Sequence, residues 1–438
     1  MARIAIIGSG ISGLGCAHFL HPHHDLTIFE AGGYIGGHTN TIAVREGSRE
    51  VTVDTGFMVY NEVTYPLLTR LFAELKVPTK ETVMSFSVQH GPSGVEWNGA
   101  GYNTLFAQRR NLLSLRHWRF LMQLNRFNTE AVAALNDPAY QFMTLAEYVE
   151  ARAYGQDFID RYLVPMGGAV WSTPPDKMLQ FPAVTLLRFW HNHGFLGLHT
   201  QHQWRTVDGG SREYVKRLVP PFADRIHLNT PVKSVRRLAA GVEIITERFG
   251  AQTFDKIIMA SHADQSLRLL ADPTPQETSI LSAFKYQANK THLHTSAQFM
   301  PATRRCWAAW NYRSRVKPGG GVTTTTHYWM NQLQGVSDKA DYFVSLNAEP
   351  GSIPAAAICQ EIDYEHPLFD LRAMAAQKEV PALNDPKGST FYCGAWTRYG
   401  FHEDGLLSAY NVCEKLLGGD PWGQAPFAGD FKARVSLV

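Results

Sequence analysis

The sequence has little cysteine and almost no excess of either charge. Its 438 residues hold five cysteines, Cys16, Cys306, Cys359, Cys393 and Cys413. Their number is odd, their spacings are wide and no Cys-x-x-Cys occurs. That excludes a disulfide framework and predicts reduced thiols in a cytoplasmic protein. Lys plus Arg number 41 against 39 acidic residues, a formal charge of +2, so nothing global argues for a nucleic-acid partner. No apolar run approaches the roughly 20 residues that span a bilayer. The first residues run straight into a strand pattern, with neither a basic stretch nor a cleavage site, so no signal peptide is expected. One absence is local. There is no acidic residue between Glu96 and Glu130, while five arginines fall between 109 and 126. The 109–127 segment, with Trp118, Phe120 and several leucines, has two readings. It is a basic amphipathic helix lying on the inner face of an anionic membrane, or a helix packed on the core with a basic outer face.

What is present begins at the amino terminus. Arg3-Ile4-Ala5-Ile6-Ile7 is short, apolar and β-branched, the pattern of a buried parallel strand. It runs into Gly8-Ser9-Gly10-Ile11-Ser12-Gly13. Gly8 allows a tight turn, Gly10 lets a pyrophosphate approach the backbone, and Gly13 lets the next helix sit close to the strand. That helix, about Ser12 to Phe19, aims free N–H groups at the phosphates. A second strand, Leu26-Thr27-Ile28-Phe29, ends at Glu30, where a carboxylate can accept hydrogen bonds from a ribose. A strand before the glycines, a helix after them and an acid at the next strand's end together specify a dinucleotide site.

Further along, Thr41 to Asp54 alternates around Gly47-Ser48 as a hairpin would, and Pro66 to Leu75 reads as an amphipathic helix. From about 81 to 198 strand alternation gives way to helical stretches rich in Leu, Phe, Trp and Arg. Within them Pro165 to Trp171 reads as apolar, flexible and suited to line a pocket. Met178 to Phe195 suits either a hydrocarbon tunnel or a core. His191, His193, His199 and His202 form the best metal candidate, but no carboxylate or cysteine completes a set, so no metal is expected. Val207-Asp208-Gly209-Gly210-Ser211 leads into a helix ending near Leu218. Short strands follow, at Ile226–Leu228, Val232–Val235, Val242–Ile245 and Phe254–Ala260. The stretch from about 272 to 381 is strand-rich, with strands expected at 291–295, 307–312 and 322–329. Ser389–Cys393 reads as the last strand, Gly394 permits close approach, and a helix opens near Phe401 and stops at Gly418.

Glu30-Ala31 is followed by Gly36-Gly37-His38-Thr39 and by Asp54-Thr55-Gly56, and the chain thereby resembles FAD proteins of the amine oxidase and phytoene desaturase type. His38 stands where that superfamily usually has Arg. Gly400-Phe401-His402-Glu403-Asp404-Gly405, with the 54–61 run and Tyr328–Asn331, is similar to the bacterial amine-oxidase-like flavoproteins associated with cyclopropane and furan fatty acid modification. The resemblance implies an α/β fold, a Rossmann-like FAD-binding domain of the glutathione reductase type with an interleaved α+β substrate domain. The cofactor domain would comprise 1–80, 199–271 and 382–438, and the substrate domain 81–198 and 272–381. It implies non-covalent FAD held by Gly8, Gly10, Ile11, Ser12, Gly13, Glu30, Ala31, Gly36, Gly37, His38, Thr39, Asp54, Thr55, Gly56, backbone at Val232, Gly394, and the helix start carrying Glu403, Asp404 and Leu406. That helix would aim N–H groups at the flavin N1 and C2 carbonyl. It implies hydride transfer to flavin N5 from an unsaturated or methyl-branched acyl chain, by desaturation or oxygen insertion. The alternatives are oxidation of an amine, carotenoid or porphyrinogen, or a non-catalytic flavin-bound lipid-binding partner of a lipid methyltransferase. Relatives usually place a lysine near the flavin; Lys285 and Lys290 lie at about that point, and no catalytic residue is assigned.

Overall fold

The Arg3–Ile7 run becomes the middle strand of a parallel sheet because it has no polar face to offer water: Ile4, Ala5 and Ile6 are fully buried. The computed structural model describes residues 1–197, 200–317 and 319–423. His199, the 198/199 boundary and the part of the 382–438 segment beyond Gly423 lie outside the described residues. The sheet runs in the order Ile226–His227, Asp25–Phe29, Arg3–Ile7, Lys256–Met259, Thr390–Tyr392, and every pair is parallel. Its strands come from three distant parts of the chain. The first crossover is the Ile11–Leu20 helix. The His402–Leu417 helix packs along it so closely that a Cβ on Gly15 would lie 2.9 Å from Leu406 Cδ1. An antiparallel sheet of Val232–Arg237, Val242–Thr246 and Gly250–Phe254 shares a second apolar cluster with the parallel sheet.

A mixed seven-stranded sheet forms the other large layer. Its order is Ile358–Leu368, Lys285–His294, Phe343–Leu346, Val322–Trp329, Trp310–Val316, Phe86–His90, Val95–Asn98. The last two strands correct the expectation of helix throughout 81–198. Gly91-Pro92-Ser93-Gly94 turns a hairpin there, and Phe86–His90 pairs parallel with Trp310–Val316. That pairing partner lies more than 200 residues away, so no local periodicity announces it. Three other expectations shift. The strand expected from Trp307 begins at Trp310. Pro165–Trp171 is not flexible but most of a buried helix, Val164–Trp171, whose end at Val170 and Trp171 does line a cavity. The basic 109–127 segment breaks at Ser114, which ends a 3-10 turn, Arg109–Leu113, and caps the Leu115–Ala134 helix by accepting a 3.2 Å hydrogen bond from His117 N. The Thr41–Glu46 and Arg49–Asp54 hairpin and the Pro66–Glu74 helix form as expected.

Candidate functional site

The carboxyl ends of the middle strands and the facing seven-stranded sheet enclose a cavity of about 1180 Å³. That exceeds the roughly 300–1,000 Å³ of an ordinary small-molecule pocket and leaves room for a large cofactor together with a substrate. Gly8, Gly10, Ile11 and Ser12 line one part of it. The turn is tight: a Cβ on Gly13 would stand 2.0 Å from Gly8 O, whereas one on Gly10 would meet nothing within 4 Å. Gly13 therefore serves the close approach of helix to strand, and Gly10 leaves a cradle open. The Ile11–Leu20 helix has no side-chain cap, so its first amides face that cradle.

Glu30 and Ala31 line the cavity beside the glycine turn. The Glu30 carboxylate accepts from Ser9 N at 2.8 Å, Ser9 Oγ at 2.6 Å and Gly32 N at 2.7 Å, which ties the glycine turn to the end of the second strand. Gly36 and Gly37, both with positive φ, bring the next loop against it: Gly36 N donates to Ser9 O at 3.0 Å. His38, Thr55, Gly56, Val232 and Gly394 complete the expected lining.

Six expected residues stand outside the lining, and each has another task. Gly13 fits the helix to the strand. Leu406 packs against the first helix. Thr39 Oγ1 lies 2.5 Å from Tyr214 OH and 2.9 Å from His402 Nε2. Asp54, fully buried, accepts from Thr41 Oγ1, Ser211 N, Ser211 Oγ and Gln334 Nε2 at 2.5–2.9 Å. Glu403 accepts from Leu67 N at 2.8 Å and Leu68 N at 2.9 Å, so it caps the Pro66–Glu74 helix. Asp404 accepts from Phe401 N at 2.9 Å and caps its own helix. Burial pushes Glu403 up to about 8 and Asp404 up to about 6.

His38, expected at this site, stands in a group of imidazoles that the sequence did not announce as a group. His38, His262, His366 and His402 all line the cavity. His38 stacks on Tyr364 at 4.8 Å and lies 5.2 Å from His366. Burial holds His38 well below its ordinary value, with the neighbouring imidazoles adding to the effect, and holds His366 at about 4 and His402 at about 3. Where the superfamily has a permanent cation, this chain has a neutral ring. Tyr364 and His366 were findable: Ile362, Tyr364 and His366 alternate with Asp363 and Glu365 along one strand. Two of the histidines between 191 and 202 are held singly by backbone carbonyls. His193 Nδ1 pairs with Phe189 O and His202 Nε2 with Asn192 O. Lys285 is exposed at the start of its strand, and Lys290 pairs with Glu361 Oε2 at 3.0 Å.

A glycine turn at a helix start, an acid after the second strand, and a second helix whose start at His402 reaches the same cavity define a dinucleotide-binding protein. The particular family follows from the sequence itself. Residues 11–342 match the family described as flavin containing amine oxidoreductase, and the chain belongs to it. The protein is thus a flavin-dependent oxidoreductase whose cofactor is FAD. No match is found among curated proteins. Solved structures of the same fold include a variant of putrescine oxidase, 12% identical, with a TM-score of 0.67 over 95% of this chain and 99% of that one. A putative protoporphyrinogen oxidase from Exiguobacterium is 18% identical, with a TM-score of 0.64 over 95% and 98%. A fatty acid isomerase from P. acnes, described as producing CLA, is 14% identical, with a TM-score of 0.67 over 95% and 98%. The site fits such a cofactor: the Gly10 cradle is open, and His38 Nε2 is sealed from solvent with no hydrogen-bond partner.

Proposed function

We propose that the protein oxidises an apolar chain, an unsaturated or methyl-branched fatty acyl group, free or in a phospholipid, by desaturation, in which a hydride passes to FAD and a proton to solvent, or by oxygen insertion with O₂ as the co-reactant that supplies the oxygen atom. The observation that carries this reading is an aromatic wall. Trp171 and Phe401 each lie within 5 Å of Phe189, centroid to centroid, and Phe195 faces Trp204 at 6.2 Å. These five rings line the cavity, with no carboxylate among them. The lining carboxylates are elsewhere: Glu30 is bound to Ser9 and Gly32, while Asp363 and Glu365 have exposed side chains. A cationic amine at that wall would have the ring faces to attract it but no carboxylate to pair with and offset its lost hydration, whereas an acyl chain would be matched. The fold itself does not choose, since both an amine oxidase and a fatty acid isomerase share it.

In this reading the Gly8–Gly13 turn, Glu30 and the Gly36–His38 loop hold the nucleotide part, and 1–80, 199–271 and 382–438 form the cofactor domain. The aromatic wall orients the chain and excludes water. Bound FAD supplies the hydride acceptor. The test is anaerobic reduction followed by flavin absorbance, with unsaturated and methyl-branched acyl lipids, polyamines and a porphyrinogen offered in turn. Acyl lipids are expected to bleach the flavin. Bleaching by polyamines or the porphyrinogen alone would refute the substrate class. Flavin that no substrate reduces would point to a lipid-binding partner of a methyltransferase instead.

A further inference from the structure

The Leu115–Ala134 helix has a settled inner face. His117, Phe120, Phe127, Ala131 and Ala134 are buried. Leu115, Trp118 and Met122, at helical spacing on the opposite side, are exposed. The preceding 3-10 turn adds Leu112 and Leu113, so five large apolar side chains are solvent-facing within eleven residues. Leu113 is 92% exposed and Leu115 is 80% exposed, so the outer face of this core-packed helix carries apolar side chains beside its arginines. The patch is fixed rather than loose: Trp118 Nε1 donates to Leu112 O at 2.9 Å, and its ring lies 5.0 Å from Phe106.

Arginines rim the patch. Arg109 Nη1 donates to Phe106 O and Arg110 Nη2 to Gly94 O, at 2.9 and 3.0 Å. Arg116 pairs with Asp157. Among the described residues no carboxylate pairs with Arg109, Arg110 or Arg119. An apolar centre ringed by unneutralised guanidinium groups has the chemistry of an interface with anionic lipid, where the leucines and the indole enter the acyl boundary and the arginines meet phosphate. No helix among the described residues is long and apolar enough to cross a membrane, so the contact is with one leaflet.

We infer that Leu112, Leu113, Leu115, Trp118 and Met122, with Arg109, Arg110 and Arg119, dock the protein on an anionic lipid surface. The inference stands apart from the substrate reading, because it is read by binding and not by turnover. The experiment is co-sedimentation of the flavin-loaded protein with phosphatidylcholine vesicles, and with phosphatidylcholine–phosphatidylglycerol vesicles, at low and high salt. Binding is expected only to the anionic vesicles and is expected to weaken with salt. A Leu113→Asp/Leu115→Asp variant is expected to bind at least tenfold more weakly while keeping its flavin spectrum. An Arg109→Gln/Arg110→Gln/Arg119→Gln variant is expected to lose the preference for anionic lipid. If the double variant loses flavin, Leu113→Ser alone decides the matter, since that side chain is almost wholly in solvent. Failure of the unaltered protein to bind anionic vesicles would overturn the inference, as would variants that bind unchanged. So would a dimer in solution that the leucine variants convert to monomer, because the patch would then be covered by a second copy.

Discussion

At the scale of the residue, the site separates groups that hold a cofactor from groups that hold the holders. Gly10 belongs to the first kind. Its backbone is extended and a Cβ there has open space, so Gly10→Ala is expected to fold with unchanged melting temperature yet bind FAD at least about tenfold more weakly, the side chain entering the pyrophosphate cradle. Isothermal titration of the apoprotein with FAD measures it. Asp54 belongs to the second kind. Every group facing its carboxylate is a donor, so Asp54→Asn would set an amide NH₂ against them. The expected cost is about 3 kcal/mol, read by denaturant unfolding. The imidazoles give a pH dependence of known sign. His366 and His402 titrate near 4 and 3 when folded and near about 6.5 when unfolded. As pH falls through about 6.5 the unfolded chain takes up protons at these two rings that the folded chain refuses, so their contribution to stability is full above that pH and declines toward 4, against an opposite contribution from Glu403 and Asp404, whose raised values favour the folded state as pH falls. Flavin-fluorescence melting from pH 7.5 to 4.5 reads the imidazole part by difference: the midpoint of His366→Asn should gain on that of the unaltered protein as pH falls. The glycines of this site were legible because their chemistry is local. The imidazole group was not, because His38 and His366 meet only through the fold.

At the scale of the element, two helices depend on one carboxylate. Glu403, in the first turn of the His402–Leu417 helix, closes the first turn of the Pro66–Glu74 helix through two amides. Glu403→Ala would leave both amides without that acceptor and is expected to cost about 2–3 kcal/mol, with FAD still bound because the side chain lies outside the cavity lining. Thermal unfolding alongside the flavin spectrum separates these two effects. Both helices were visible in the sequence from apolar spacing and from Pro66 and Gly418. The contact between them was not, since 335 or more positions separate the partners. The Phe86–Asn98 hairpin escaped notice for the same reason: its strands are short, and the strand that gives them a place lies far downstream. Elements that satisfy themselves were readable; those completed by a distant partner were not.

At the scale of the whole molecule, the parallel sheet takes Arg3–Ile7 from the beginning of the chain, Lys256–Met259 from its middle and Thr390–Tyr392 from near its end. A chain truncated after Pro386 would lose an edge strand and the last helix, and with them Gly394 and the carboxy-terminal approach to the cavity. Such a chain is expected to be colourless and to precipitate, which absorbance of the soluble fraction would reveal. The layout also bears on birth at the ribosome. At about 5–20 residues per second, the earliest-made strand waits roughly 20–80 seconds for the latest-made one. Through that interval its isoleucines have no finished sheet to enter, so chaperone-depleted cells should accumulate nascent, unpigmented protein well before mature holoenzyme shows any instability.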